Sequence, residues 1–429
     1  MSSIMLTTML VLFALSVPVA VAIGMGSIVG IATTDGASML IVGQQMFTSL
    51  DKYPLAAIPF FILAGNLMES GGISARLVEF AKSIVGGVQG GLAATCVLTC
   101  MIFAAVSGSS VATTFAIGAI LIPAMVKHGY PVSFAAALQA TAAELGVIIP
   151  PSIPMILYGI SADVSVAELF IAGIGPGLLI GGALIVTVLV WARIKGYGKL
   201  DREGRMPILA AARRAAFALL MPVIILGGIY GGVFTPTEAS VVAVFYALLV
   251  GMLIYREISV ADLVQVLRKS VISSTVILMI IACAGMFSFL ITRANVPAML
   301  GEWLVQTLET PALFLLGVNA ALFVIGMFIE TSASIVVLAP ILTPIAVHFG
   351  IDPVHFGTIM VVNLALGMIT PPFGVNLFAA CMVAKIPLQS IFRHLVPFVA
   401  VILGCLMIIT YFAPLSLLLR DLVYRTAGG

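Results

Sequence analysis

The chain is 429 residues long, 62% of them hydrophobic and only 8% charged, and its mean hydropathy is +1.25. Soluble domains carry roughly 25% charged residues, so this composition excludes a soluble globular protein and indicates an integral membrane protein. The net charge of +2 is too small for nucleic-acid binding, which needs dense Lys and Arg to neutralise phosphates.

Apolar runs of about 20 residues, the length that crosses a ~30 Å hydrocarbon core as a helix, recur along the chain. The ten-residue alternation of a transmembrane β-barrel is missing. In chain order, residues 1–53 come first as N-terminal scaffold. No basic residue precedes the apolar stretch and no small-residue cleavage pattern follows it, so it reads as mature span and not signal peptide. It forms one long tilted span or two short ones around Pro18.

Residues 54–193 make the first unit. A helix at Pro54 to Met68 is followed by an amphipathic arm (73–87) with Arg76 and Lys82. A hairpin (91–127) with the polar tip SGSS comes next, then a broken helix (131–160) containing IIPPSIP, and after it the apolar run from Leu169 to Trp191. Cys96 and Cys100 lie at i, i+4 spacing in this hairpin. They have no neighbouring His or carboxylate, so they read as packing residues and not as a metal pair. The loop at 194–214 follows, with seven Lys or Arg against two acids between Arg193 and Arg214. The positive-inside rule places it in the cytoplasm. Residues 215–270 supply further scaffold helices and a cytoplasmic connector.

Residues 271–413 make the second unit: a helix at Val271 to Ile291, an arm (295–309) carrying Glu302 and Glu309, a hairpin (311–348) with the tip ETS, a broken helix (353–384) containing ITPPFGVNLF, and a last apolar span. A tail, 414–429, ends the chain. Setting Pro150-Pro151 on Pro371-Pro372 gives an offset of 221 residues. Without a gap, the same offset lays Leu145-Gly146 on Leu366-Gly367, Pro123 on Pro344, and Ser110 and Thr113 on Thr331 and Ser334. The basic anchors make the two opening helices run in opposite directions. The expected fold is therefore an all-α polytopic membrane protein built from two inverted-topology repeats, each with a re-entrant hairpin and a Pro-Pro-broken helix.

The tips and breaks carry the candidate chemistry. Paired prolines remove amide donors and free carbonyls in mid-membrane, and such backbone is tolerated only where protein buries it or a cavity borders it. With Ser and Thr hydroxyls, those carbonyls form an oxygen-rich cage for a hard cation such as Na⁺. Half-helix N-termini beside them present N–H groups that suit a carboxylate. A single Ser-rich run can simply bond back to its own helix, and a single Pro-Pro can be a plain kink. Recurrence of both at one offset favours a site. Arg293 ends an outward-running helix against the positive-inside tendency. It either snorkels to lipid phosphate or points inward toward Glu330 and an organic anion.

The SGSSVATT and ETSASIVVLAP tips and the IIPPSIP and ITPPFGVNLF breaks resemble the large membrane subunit of tripartite ATP-independent periplasmic (TRAP) transporters, within the wider ion transporter superfamily. The resemblance covers essentially the whole chain. It implies a Na⁺-driven secondary transporter of organic acids, such as four-carbon dicarboxylates or sugar acids, working by an elevator motion in the bacterial inner membrane. A small membrane subunit and a periplasmic substrate-binding protein are the implied partners, and this chain would be an unfused large subunit. Carried over by residue, Ser107, Gly108, Ser109, Glu330 and Thr331 become substrate contacts, with Arg293 added from its position. Ser110, Thr113, Pro150, Pro151, Thr331, Ser332, Thr370, Pro371, Pro372 and Gly374 become the Na⁺ set. No GxxxxGK[ST] phosphate loop is present, which fits an ion gradient and not ATP. The alternatives are a stand-alone Na⁺/divalent-anion symporter, or a membrane scaffold or enzyme subunit. The second lacks an HExxH or comparable catalytic arrangement, because the four histidines fall near helix ends.

Overall fold

A computed structural model describes residues 2–33, 38–199, 206–308, 310–372 and 374–425. Parts of the basic loop (200–205), Glu309 of the second arm, Phe373 of the second break and the end of the tail (426–429) lie outside the described residues. Within them all regular secondary structure is helical. Eight helices are long and apolar enough to cross a membrane, or up to ten if each of two sharply bent pairs counts as one span.

The chain opens with α1 (Ser2–Ala14) and α2 (Val19–Ala32). They fold back on each other, with Gly26 of α2 against Met5 and Met9 of α1 and Gly30 against Met5. Of the two readings at Pro18, the structure therefore shows two short helices. Helix α3 (Leu40–Leu50) and a 3-10 turn at Tyr53–Ala56 lead into α4 (Ala57–Ser70) and α5 (Ile73–Val85), which meet at a 73° bend. Gly72 makes that bend with φ +68°, a left-handed conformation that costs other residues energy. Its missing side chain leaves room for Glu257. Arg76 of α5 pairs with Glu257 at 2.7 Å and lies 3.7 Å above the Tyr255 ring.

Next come α6 (Gly91–Ser107), α7 (Ser110–Lys127), α8 (Val132–Ala143), the single turn α9 (Leu145–Ile148), α10 (Ile153–Ala162) and the 30-residue α11 (Val166–Lys195). The broken helix bends by 42° at Pro150-Pro151. An aromatic cluster around Phe134 ties α8 to α11 and, beyond them, to Phe398, with ring centroids 5.7 Å from Phe398 and 6.4 Å from Trp191. Helices α12 (Ile208–Tyr230), α13 (Pro236–Leu248) and the 34-residue α14 (Val260–Arg293) follow. Capping boxes at Thr235/Glu238 and Ser259/Asp262 start α13 and α14 by satisfying amides that a helix start leaves unpaired.

The last third contains α15 (Val296–Leu308), α16 (Pro311–Phe328), α17 (Thr331–His348), α18 (Pro353–Met368), α19 (Val375–Ala384), α20 (Phe392–Tyr411) and α21 (Pro414–Arg425). Arg420 of α21 bonds Asp352 at 2.7 Å, and Asp352 in turn caps α18 by accepting from the Val354 and His355 amides.

Two groups of helices result. In one, α2, α3 and α4 pack on α14, α13 packs on α4, and α12 packs on α13 and α5; a buried bond from Asn66 to the Ser270 hydroxyl (2.9 Å) fastens α4 to α14. The other gathers α6 to α11 with α16 to α21. Inside it the two hairpins exchange partners: α10 packs on α17, and α19 packs on α7 and α8. Tyr158 of α10 shows why that exchange holds. Its hydroxyl donates to the Pro353 carbonyl (2.8 Å) and accepts from Thr343 (3.0 Å).

Candidate functional site

The first tip is a two-residue turn. Helix α6 ends on Gly108 at φ +64°, and Ser109 starts α7 in extended conformation with its side chain accepting from the Ala112 amide. A side chain at Gly108 would stand 2.9 Å from the Pro151 carbonyl, and the Gly108 carbonyl itself accepts from the Ile153 amide at 3.3 Å. The tip is therefore bonded to the break. Ser107 and Ser110 are buried. The Thr113 hydroxyl donates to the Ser109 carbonyl at 2.8 Å. From the opposite side Gly146 presses in so closely that a Cβ there would lie 2.7 Å from Thr113 Oγ1 and 2.9 Å from the Ser109 carbonyl oxygen. Tip, α7 and the residues before the break thus form a cradle of oxygens that glycine keeps open. Helix α4 flanks it, with Gly65 against Ser107. Pro150 and Pro151 are buried, and Ser152 closes the break by donating to the Val147 carbonyl and capping α10.

The second tip is built differently. Glu330 caps α17 with its own carboxylate, accepting from the Ser332 and Ala333 amides at 2.9 and 3.2 Å and from the Ser332 hydroxyl at 2.9 Å. The amides that the sequence reserves for a substrate carboxylate are here held by the protein's own, because a negative charge is favourable at a helix N-terminus. Among the described residues no arginine pairs with Glu330. Thr331 donates to the Met368 sulfur at 2.9 Å, which joins this tip to the second break. Ser332 and Ser334 are buried, and the Ser334 hydroxyl has no partner among the described residues. Thr370 bonds back to the Leu366 carbonyl at 2.8 Å. Gly374 starts α19 at φ +37°. Pro371 is half-buried and Pro372 exposed, so the second break is the more open of the two.

The structure brings each tip to the break of its own half. Arg293 stands apart, exposed at the end of α14 with no ion pair among the described residues. Its neighbours Thr292 and Asn295 border a cavity of about 560 Å³ that also touches Glu302 and His348.

Sequence reasoning passed over Glu144, Asn376 and Gln139. Glu144 joins α8 to α9 and is fully buried; it accepts from the Asn376 side-chain amide, and Glu330 is its electrostatic neighbour. The two halves therefore meet at a polar junction beside both breaks. Gln139, also buried, holds the Thr113 carbonyl at 3.3 Å and accepts from the Cys96 thiol. A carboxylate six residues before a Pro-Pro pair in an apolar segment was the available signal for Glu144. Asn376 lies within the ITPPFGVNLF break but was passed over beside its prolines, and Gln139 lies in no motif.

Residues 6–415 match the family described as tripartite ATP-independent periplasmic transporter, DctM component. The chain is 44% identical over 377 residues to the C4-dicarboxylate TRAP transporter large permease protein DctM of Pseudomonas aeruginosa, covering 88% of each. It is 42% identical to the isethionate TRAP transporter permease protein DctMQ of Oleidesulfovibrio alaskensis, covering 92% of this chain and 62% of that one. With the sialic acid TRAP transporter large permease protein SiaM of Vibrio cholerae it shares 35% identity over 91% of each chain. Among solved structures, the YdaH transporter of Alcanivorax borkumensis superposes with a TM-score of 0.64 at 14% identity, covering 90% of this chain and 88% of that one, a likeness of fold alone.

Proposed function

The chain belongs to the tripartite ATP-independent periplasmic transporter family and is its DctM component, the large permease subunit, and from that premise we propose that it drives Na⁺-coupled uptake of a small organic acid. The acid is a carboxylate such as a four-carbon dicarboxylate or a sugar acid. It reaches the permease from a periplasmic binding protein, and a small membrane subunit completes the complex in the bacterial inner membrane. Support comes from the relatives, which are named for C4-dicarboxylate and sialic acid, and from one fused DctMQ permease named for isethionate.

The observation that carries the reading is the oxygen cradle at Gly146, where Thr113 Oγ1 and the Ser109 carbonyl crowd the space a Cβ would take. Na⁺ is a hard cation that binds such oxygens. Ser110, Thr113 and the backbone at Pro150 and Pro151 serve one ion. Thr331, Ser332, Thr370, Pro371, Pro372 and Gly374 serve the matching position in the second half. Ser107, Gly108, Ser109, Glu330 and Thr331 face the acid between the tips, and Arg293 meets a carboxylate at the outer side.

The two halves are read as inverted repeats, and the hairpin-bearing group of helices as a body that moves against the group around α14. The partner exchange of α10 and α19 favours this, because it makes the hairpins one unit. Family membership removes the enzyme alternative. The stand-alone symporter is the remaining competitor, and one assay separates it. In proteoliposomes holding the assembled complex, labelled acid bound to its periplasmic protein accumulates only under an inward Na⁺ gradient. Accumulation of free acid without the binding protein favours the symporter, and accumulation under K⁺ alone contradicts Na⁺ coupling.

A further inference from the structure

The junction between the halves holds a pair of orphaned atoms. Glu144 Oε1 accepts from the Asn376 side-chain N–H, while Glu144 Oε2 and Asn376 Oδ1 are both buried and have no partner among the described residues. Both residues are fully buried. Two acceptor oxygens, one on each side of an existing hydrogen bond, repel when the acid is ionised and attract when a proton lies between them. One proton on Oε2 donates to Asn376 Oδ1 and satisfies both atoms at once, which gives the two-point pairing of a carboxylic acid with a primary amide. A buried charge without a partner is costly, whereas a hydrogen-bonded neutral acid is tolerated.

We propose that Glu144 and Asn376 form a proton-binding site, a neutral acid–amide clasp that joins the two broken helices. The ligand is a single proton, bound by Glu144 and shared with Asn376. The site lies outside the Na⁺ and substrate sets, and it goes beyond the transport reading because it is read without transport.

The surroundings fit. Among the described residues Glu330 is the one charged group that acts on Glu144, and its carboxylate is already held by the amides of α17. From α6 come the thiols of Cys96 and Cys100, both engaged with Gln139. Helix α7 ends on Lys127 and α19 is followed by Lys385, each at the far end of its helix. His394 of α20 bonds Ser133 at the other end of α8, about 16 Å away at 1.5 Å per residue. On α18, His355 holds the Thr410 carbonyl. Glu168 of α11 lies near Arg420, and Tyr158 of α10 is bonded to Pro353. No lysine or arginine neutralises Glu144 among the described residues, so the proton takes that role. Its sign follows directly: the clasp is present while Glu144 is protonated and is lost as rising pH removes the proton, which then leaves a buried carboxylate facing the Asn376 carbonyl oxygen.

Infrared spectroscopy of the purified full-length protein tests this. At neutral pH exposed carboxyls are ionised, and a protonated buried carboxyl shows a separate carbonyl stretch that shifts in D₂O. The wild type should show this band, Glu144→Gln should lose it, and Glu330→Gln should keep it. Asn376→Ala should move the band to higher frequency by removing its hydrogen bonds, which keeps the test open should Glu144→Gln fail to fold. Raising the pH should bleach the band as Glu144 loses its proton. A wild type without the band, or a band that disappears in Glu330→Gln instead, overturns the proposal, because Glu144 is then ionised or another acid holds the proton.

Discussion

Gly367 of α18 and Gly326 of α16 touch backbone to backbone: a Cβ on Gly367 would stand 2.4 Å from the Gly326 carbonyl carbon. The approach brings the second broken helix against the first arm of its hairpin, and nothing flexible separates them. Gly367→Ala should therefore force the helices apart at a cost of about 1–3 kcal/mol, typical of an overpacked interior. Thermal unfolding in detergent should show a melting temperature several degrees lower. An unchanged value would mean that the two helices separate freely.

Tyr158 fastens the first break to the second half through the Pro353 carbonyl and the Thr343 hydroxyl. Removing its hydroxyl leaves both groups short of a partner in a buried setting. Tyr158→Phe should cost about 1 kcal/mol, and the additional loss in a Tyr158→Phe/Thr343→Val double variant should be smaller than that of Thr343→Val alone. Simple addition of the two losses would show that the hydroxyls do not act together.

Much of this arrangement is written locally and is legible in the sequence. Proline lacks an amide donor, so Pro150-Pro151 and Pro371-Pro372 mark helix breaks wherever they sit. The polar tips at Ser109 and Glu330 likewise stand out between apolar runs. The spacing of these marks is constant along the chain. Partners distant in sequence are not legible: Asn376 lies 232 positions from Glu144, and Tyr158 meets Thr343 across 185. The folding back of α1 on α2 was equally hidden, because lipid and protein interior are both apolar and give helix faces no polar contrast. Glu330 shows a third limit. A carboxylate next to serines in sequence suits an ion site, a substrate site and a helix cap alike, and only its distances to the Ser332 and Ala333 amides reveal the cap.

The proposed inversion of the halves predicts that α5 and α15 lie at opposite faces of the membrane. In a cysteine-free background, Lys82→Cys should react with an impermeant thiol reagent only from the cytoplasmic side and Glu302→Cys only from the periplasmic side. Labelling of both from one side would refute the inversion.

Arg293 separates two roles. As an anion contact it needs the forked geometry of guanidinium, so Arg293→Lys should slow uptake severely and Arg293→Ala nearly stop it while the complex still assembles. Normal uptake by Arg293→Ala at saturating binding protein would assign its exposed side chain to the lipid surface.

The central claim is that the hydroxyls of the two tips hold the coupling ion, and the most direct measurement is the Na⁺ concentration for half-maximal uptake in proteoliposomes containing the full complex. Ser110→Ala, Thr331→Ala and Ser332→Ala each remove one oxygen from a proposed cage. Losing one hydrogen-bond-strength interaction of about 1–1.5 kcal/mol corresponds to a roughly five- to tenfold rise in that concentration, with acid affinity for the isolated binding protein unaltered. The same half-maximal concentration in all three variants as in the wild type would contradict the account and place the ion elsewhere.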